Sequence, residues 1–246
     1  MEQFKMITKE NDLAQSLITA MLTERIQPYI PHWDKHGIDI PVFYIAGGAL
    51  WDSPPNDIDV YLPQGTSFSS MVNKIFEITS KEMSEKSVTK SVHSSPNALT
   101  LRLSEIKVPV QICSYQKPSI KELADSFDFS HTQSAVEITD GKVTSVYYSD
   151  AWLKARLTGK TEYMGTDYPL SSLIRLNKYH RRGLLTTFQR NCSTIRILAS
   201  IIDRGFQDYK DFKDQLESLD IAALTKEEYA QERDALMKIF DKLVKK

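Results

Sequence analysis

GGALWDSPPNDIDVYL, residues 47–62, decides how this chain is read. Just before it, residues 41–46 (PVFYIA) form a short β-branched and aromatic run that reads as a buried strand. Residues 57–62 (DIDVYL) alternate in polarity and read as a second strand. Between the two, GALWDS has room for one or two helical turns, and Pro54-Pro55 stops them. Side chains alternate along a strand, so Asp57 and Asp59 share one face while Ile58 and Val60 take the other.

Two carboxylates a few ångströms apart repel, and each resists ionisation while the other is charged. A cation between them removes that penalty. Hard oxygen donors on a short rigid spacing suit Mg²⁺ (or Mn²⁺), which keeps waters and takes phosphate oxygens as further ligands. Gly47 and Gly48 lack Cβ atoms, so their backbone admits close approach of a ligand. N–H groups at the helix start they open would attract phosphate.

Outward from this stretch, residues 9–30 carry Leu13, Leu17, Ile18, Met21, Leu22 and Ile26 at helical spacing, with Asn11 or Asp12 as the expected cap. A helix is expected over 68–82, strands near 86–93, 97–103 and 107–114, and a short helix from 119 to 126 capped by Ser119. Asp140-Gly141 between 133–138 and 142–148 signals a hairpin. Beyond about 150 the pattern is helical: Trp152, Leu153 and Leu157, then 169–204, 206–218 and 225–245. His93, Ser94, Ser95 and Asn97 read as a turn, with a nucleotide contact as the alternative.

The chain is 41% hydrophobic and 26% charged, enough apolar content for a buried core. Its net charge of −1 argues against a surface coated with phosphate-binding groups but permits a local basic patch. Cys113 and Cys192 form no metal-ligand spacing and read as free thiols of a reducing compartment. No segment has the length and apolarity of a signal peptide core or a membrane span, so a cytoplasmic protein with no membrane partner is expected. The local basic patch is in 171–190 (SSLIRLNKYHRRGLLTTFQR). Arg175, Lys178 and Arg182 share one helical face there, with Arg181 alongside, while Leu173, Leu176, Tyr179 and Leu184 fall elsewhere. Asp167 is the expected cap region and Gly183 the expected break. Tyr168, Tyr179 and His180 read either as core or as a surface for stacking a base.

The order of strand, GG, short helical stretch, Pro-rich turn and apolar-flanked DxD resembles the signature of the polymerase-β-type nucleotidyltransferase superfamily. Within it, the likeness is to the head domain of bacterial CCA-adding enzymes and poly(A) polymerases. A looser likeness, through NALTLRL, VPVQI, SFDF and ITDGKVTSVYY, is to nucleotidyltransferase-like segments of phages and large viruses. The resemblance implies that Gly47 and Gly48 hold a triphosphate and that Asp57 and Asp59 are catalytic and bind Mg²⁺. It matches Asp52 to the acid of an Arg-Asp pair whose Arg is here Trp51. Many members add a third carboxylate from a later strand; the corresponding polar position in VPVQIC is Gln111, and Asp128 is the nearest acid. The resemblance also implies that basic residues of a following helical domain (Arg175, Lys178, Arg181, Arg182) contact the nucleotide.

The expected fold is α+β: a mixed-sheet, polymerase-β-like nucleotidyltransferase domain over 1–150, then an all-helical lobe over 151–246. The expected activity is metal-dependent transfer of NMP from an NTP, ATP among them, to a hydroxyl of RNA (including a tRNA 3′ end), protein or a small molecule, releasing pyrophosphate. The alternative is a catalytically inactive nucleotide-binding or regulatory protein on the same fold.

Overall fold

A computed structural model describes residues 2–82, 89–94, 98–103, 105–208 and 210–212. The chain divides into two compact units: residues 1–127 with 131–154, and residues 128–130 with 155–246.

The first unit is built on a seven-stranded mixed sheet in the order β3-β4-β5-β2-β1-β6-β7. Its strands are β1 (Val42–Ala46), β2 (Ile58–Pro63), β3 (Thr89–Ser94), β4 (Ala98–Leu103), β5 (Val110–Lys117), β6 (Ser134–Thr139) and β7 (Lys142–Tyr148). Among the described strands only β2 and β5 pair in parallel. A parallel neighbour needs a long crossover, and α3 (Phe68–Glu82) with the β3–β4 hairpin supplies it. The β6–β7 turn places Asp140 at φ 49° and Gly141 at φ 72°, the two positive values that a tight two-residue hairpin needs.

The sheet buries both faces, unequally. Ile58, Val60 and Leu62 join Phe43, Ile45, Leu99, Leu101, Val110 and Ile112 in the main core. On the opposite face Tyr44, Ala46, Tyr61 and Ala135 pack under Leu123 and Ala124 of α4 (Ile120–Asp125). Ser119 caps α4 as expected, its hydroxyl accepting from the Glu122 N–H at 3.2 Å.

Helix α1 (Glu2–Ile26) starts earlier than its apolar pattern suggests, so Asn11 and Asp12 lie within it rather than at its start. Leu22 and Ile26 are buried, whereas Leu13 and Leu17 are each 63% exposed. Periodicity marks an apolar stripe but not how much of it reaches the core. Among the described side chains of α1, the covered ones lie toward the end that meets the one-turn helix α2 (Gly48–Trp51) and β7.

The second unit contains the end of α5 (Asp150–Thr158), α6 (Pro169–Arg181) and α7 (Thr187–Arg204). Residues 128–130 join it as a short extended piece. Phe129 bridges Tyr163, the Ser130 N–H donates to the Glu162 carbonyl at 2.9 Å, and the Met164 N–H donates to the Asp128 carbonyl at 2.8 Å. The helical run expected over 169–204 is two helices, broken at Gly183 (φ 74°). Thr186 and Gln189 close a capping box that restarts the chain as α7. Asp167 caps nothing: the residue at that position is Tyr168, which makes no side-chain capping bond, and Pro169 opens the helix. The expected helices beyond residue 212, and Ser95 and Asn97, lie outside the described residues. No helix among the described residues is long and apolar enough to cross a membrane.

Candidate active site

The two glycines have different jobs. Gly47 sits at φ 77° and ψ −137°, backbone that a side chain would strain, while Gly48 is helical. Gly47 also donates its N–H to the Ser134 carbonyl at 3.1 Å. That donor is spent inside the fold. A Cβ on Gly48 would lie 3.9 Å from Asp52 Oδ2, an ordinary contact. Gly48 opens α2, whose single turn is closed by Leu50 N–H to the Gly47 carbonyl (3.2 Å) and Asp52 N–H to the Gly48 carbonyl (2.9 Å). From α1, Arg25 Nη1 donates to the Trp51 carbonyl at 2.7 Å and to the Leu50 carbonyl at 3.4 Å. These carbonyls lie at the helix end, where the next turn of backbone N–H groups is missing. Nothing local in the sequence signals this bond, which spans 26 residues.

In an antiparallel pair the end of β1 adjoins the start of β2, so the glycine turn leaves the sheet where the two aspartates enter it. Asp57, one residue before β2, and Asp59, within it, are half-buried, and Ile58 and Val60 between and beyond them are fully buried on the other face. The alternation read from the sequence is therefore real. Asp59 stands in register with Gln111 of β5, and Gln111 with Thr100 of β4. Gln111 thus holds the place beside the aspartates that the sequence assigns it.

Cys113, on the same side of β5 as Gln111, reports the local field. Burial pushes its thiol well above the ordinary value; the Asp59 charge pushes the same way, a hydrogen bond with Tyr61 partly offsets this, and Asp57 adds to it. Negative charge concentrated on this face, with carboxylate and amide oxygens, is a donor set that fits a hard divalent cation. Among the described residues no group of three or more His, Cys, Asp and Glu is arranged to hold an ion. The protein's share would then be Asp57 and Asp59, with phosphate oxygens and water completing the shell.

Trp51, where the resembled motif has Arg, is a packing residue. Its ring meets His131 edge-on at 5.5 Å and Trp152 at 6.3 Å. Asp52 ends α2 with extended backbone, half-buried beside Gly48.

Gly47, Gly48, Asp52, Asp57, Asp59 and Gln111 all belong to the first unit; Asp128, Arg175, Lys178, Arg181 and Arg182 belong to the second. Asp128, 3% exposed, has its Oδ2 committed: Ser172 Oγ donates to it at 2.7 Å and Arg175 Nη1 at 2.7 Å. It is a buried carboxylate tying residues 128–130 to α6. Arg175 is its counter-ion, with 28% of its side chain exposed. Lys178 is half-buried, and Arg181 and Arg182 are exposed at the C-terminal end of α6, where cations also complement the helix dipole. Tyr179 is core, 6% exposed and edge-on to Phe129 at 4.8 Å. His180 Nδ1 lies 3.0 Å from the Leu185 carbonyl, bracing the Gly183 break.

Solved structures to which the chain is similar include CCA-adding enzymes and a tRNA nucleotidyltransferase. One, a CCA-adding enzyme in complex with CTP, shares 14% identity at TM-score 0.49, over 81% of this chain and 48% of that one. A Thermotoga maritima CCA-adding enzyme complexed with tRNA shares 14% identity at TM-score 0.45, over 81% and 49%. A tRNA nucleotidyltransferase with a primer tRNA and an incoming ATP analog shares 13% at TM-score 0.43, over 84% and 61%. The chain spans about half the length of the first of these structures. No curated protein matches it. Residues 10–158, which carry the glycine turn, both aspartates and the whole sheet, match the model described as Gabija anti-defense 2 family protein, and the chain belongs to that family.

Proposed function

We propose that this protein is a divalent-metal-dependent nucleotidyltransferase that moves an NMP from an NTP to an acceptor hydroxyl. The observation that carries the reading is the pair Asp57 and Asp59, half-buried on one sheet face beside the turn that ends β1 at Gly47. The motif resemblance supplies the reaction class. Membership of the Gabija anti-defense 2 family supports a setting in which the activity opposes a Gabija defence.

In this reading Asp57 and Asp59 hold Mg²⁺ or Mn²⁺, and the turn at Gly48 lets phosphate approach the backbone. Bound metal supplies Lewis-acid stabilisation of charge on the phosphoryl oxygens. The acceptor oxygen attacks the α-phosphorus in line, the α–β bridging P–O bond breaks, and pyrophosphate leaves while the hydroxyl proton passes to solvent. The acceptor is a hydroxyl of RNA, including a tRNA 3′ end, of a protein, or of a small molecule.

One observation favours a second reading. Gln111, a neutral amide, is in register with Asp59 where many members of the superfamily place a third carboxylate. A chain that binds NTP without transferring it would tolerate that amide.

Transfer of α-label from each of the four NTPs, with Mg²⁺ or Mn²⁺, onto tRNA, bulk RNA, protein extract and the protein itself separates the two. Label in one acceptor class, lost in Asp57→Ala/Asp59→Ala, supports transfer. A melting temperature raised by NTP with no label anywhere supports the binding protein. Neither effect overturns both.

A further inference from the structure

A cavity of about 540 Å³ lies between the segment that follows α1 and the β6–β7 turn, with all of its lining in the first unit. It is at the far end of β1 from the glycine turn. Pro41 precedes that strand and Gly47 follows it, so the two ends are about 17 Å apart. The wall is apolar: Trp33, Ile38, Ile40 and Phe43 are buried, and Trp33 meets Phe43 edge-on at 5.9 Å. The rim is acidic. Asp34, Asp39 and Asp140 are exposed there, against one lysine, Lys142, and His32. Among the described residues none of the three carboxylates pairs with a cation.

An acidic rim alone says nothing of a ligand. The indole of Trp33 adds a second, independent observation. Trp33 is 3% exposed and lines the cavity, and its Nε1 has no acceptor among the described residues. Buried donors nearly always have a partner, because leaving the bond unmade is costly. An acceptor oxygen brought by a ligand supplies it.

The charge of the rim selects that ligand. Three carboxylates against one ammonium repel phosphate and carboxylate groups, so NTP and RNA are disfavoured and the acceptor oxygen is a neutral one. A metal ion or a polyamine suits the rim but brings no acceptor for the indole. A peptide of apolar and basic residues brings everything the cavity lacks. Its main-chain carbonyl meets the indole, its apolar side chain the wall, and its cation the aspartates.

We propose that this cavity binds a basic peptide segment of a partner protein through an apolar anchor, a carbonyl accepting from Trp33 Nε1, and a cation at Asp34, Asp39 and Asp140. The site lies away from the aspartates of β2 and does not depend on nucleotidyl transfer.

The test uses the full chain labelled with ¹⁵N, whose three tryptophans give three indole N–H signals. Trp33→Phe identifies the Trp33 signal. The probe is the capped peptide Gly-Leu-Arg-Leu-Arg-Gly at millimolar concentration, beside its counterpart with Glu for Arg, and spermidine. The expected result is a saturable downfield move of the Trp33 signal with the arginine peptide and none with the glutamate peptide. Asp34→Asn/Asp39→Asn/Asp140→Asn should weaken that binding about tenfold or more, with the Trp51 and Trp152 signals unmoved as the control for folding. Lys142→Ala removes the competing cation and should tighten it, which keeps the charge argument testable should the triple variant not fold. A Trp33 signal that no peptide moves overturns the proposal, as does equal binding of the two peptides or unchanged affinity in the rim variants. A shift with spermidine alone would also overturn it and give the cavity to a small polycation.

Discussion

Arg25 of α1 donates to the carbonyl oxygen of Trp51 at 2.7 Å, and this bond holds the turn between the glycines and the aspartates. A guanidinium on the last carbonyls of a short helix makes a charge-assisted bond, worth more than a neutral one. Arg25→Ala is expected to destabilise the protein by about 1–2 kcal/mol in urea unfolding. Arg25→Lys should recover part of this, because an ammonium reaches one carbonyl but does not span two. A larger loss of activity than of stability would show that the turn must be held in place for the chemistry.

The glycines separate backbone need from ligand need. Gly47→Ala forces a side chain onto φ 77° and should cost about 1–3 kcal/mol whatever binds. Gly48→Ala meets only Asp52 Oδ2 at 3.9 Å and occupies helical backbone, so stability should hold or rise slightly. If Gly48 serves phosphate approach, the rise in melting temperature on adding Mg²⁺ and NTP will shrink in Gly48→Ala while the unliganded value stays. An unchanged rise would remove Gly48 from the nucleotide site.

Cys113 gives a readout of the carboxylates that needs no turnover. Its thiol is raised by burial first and then by Asp59, so Asp59→Asn should move the pH profile of its alkylation to lower pH, and Asp57→Asn should do so less. Cation binding at the aspartates works in the same direction, so Mg²⁺ should mimic Asp59→Asn in the wild type and do nothing in the double variant. The measurement is made in Cys192→Ser. The linked effect on stability has a definite sign. Above the ordinary thiol value of 9.0 the folded state keeps a proton that the unfolded chain has released. Stability is therefore lost as pH rises past that value, and less of it is lost in Asp59→Asn.

What was legible in the sequence is what short-range rules govern. Alternation placed Asp57 and Asp59 opposite Ile58 and Val60, Asp140-Gly141 marked its hairpin, and Ser119 its cap, because each depends on a few neighbouring residues. The failures are long-range. Leu13 and Leu17 have helical spacing, but which part of a stripe meets the core is set by elements far along the chain. Asp128 reads as the nearest acid or as a structural carboxylate, and local rules do not name its partners, Ser172 and Arg175, which lie 44 and 47 residues away. Trp51 stands where the resembled motif has Arg, and its packing against His131 and Trp152 is invisible locally.

The same Asp128 pairing divides the basic helix. Arg175→Ala strands a carboxylate that is 3% exposed with only Ser172 Oγ donating to that oxygen at 2.7 Å, and should cost about 3 kcal/mol. Its effect on any ligand is thus mixed with loss of the fold. Arg181 and Arg182 are exposed and Lys178 is half-buried, so alanine at each should change stability by less than about 1 kcal/mol. Lys178, Arg181 and Arg182 are then the cations of α6 whose contact with phosphate can be tested apart from the fold, Arg175 being positioned by Asp128. Lys178→Ala/Arg182→Ala should reduce the thermal shift produced by Mg²⁺ and NTP while leaving the unliganded melting temperature near wild type. Arg175→Ala should lower the unliganded value itself. A full NTP shift in Lys178→Ala/Arg182→Ala would leave the basic face of α6 without a nucleotide role, and its cations would then serve the C-terminal end of the helix alone.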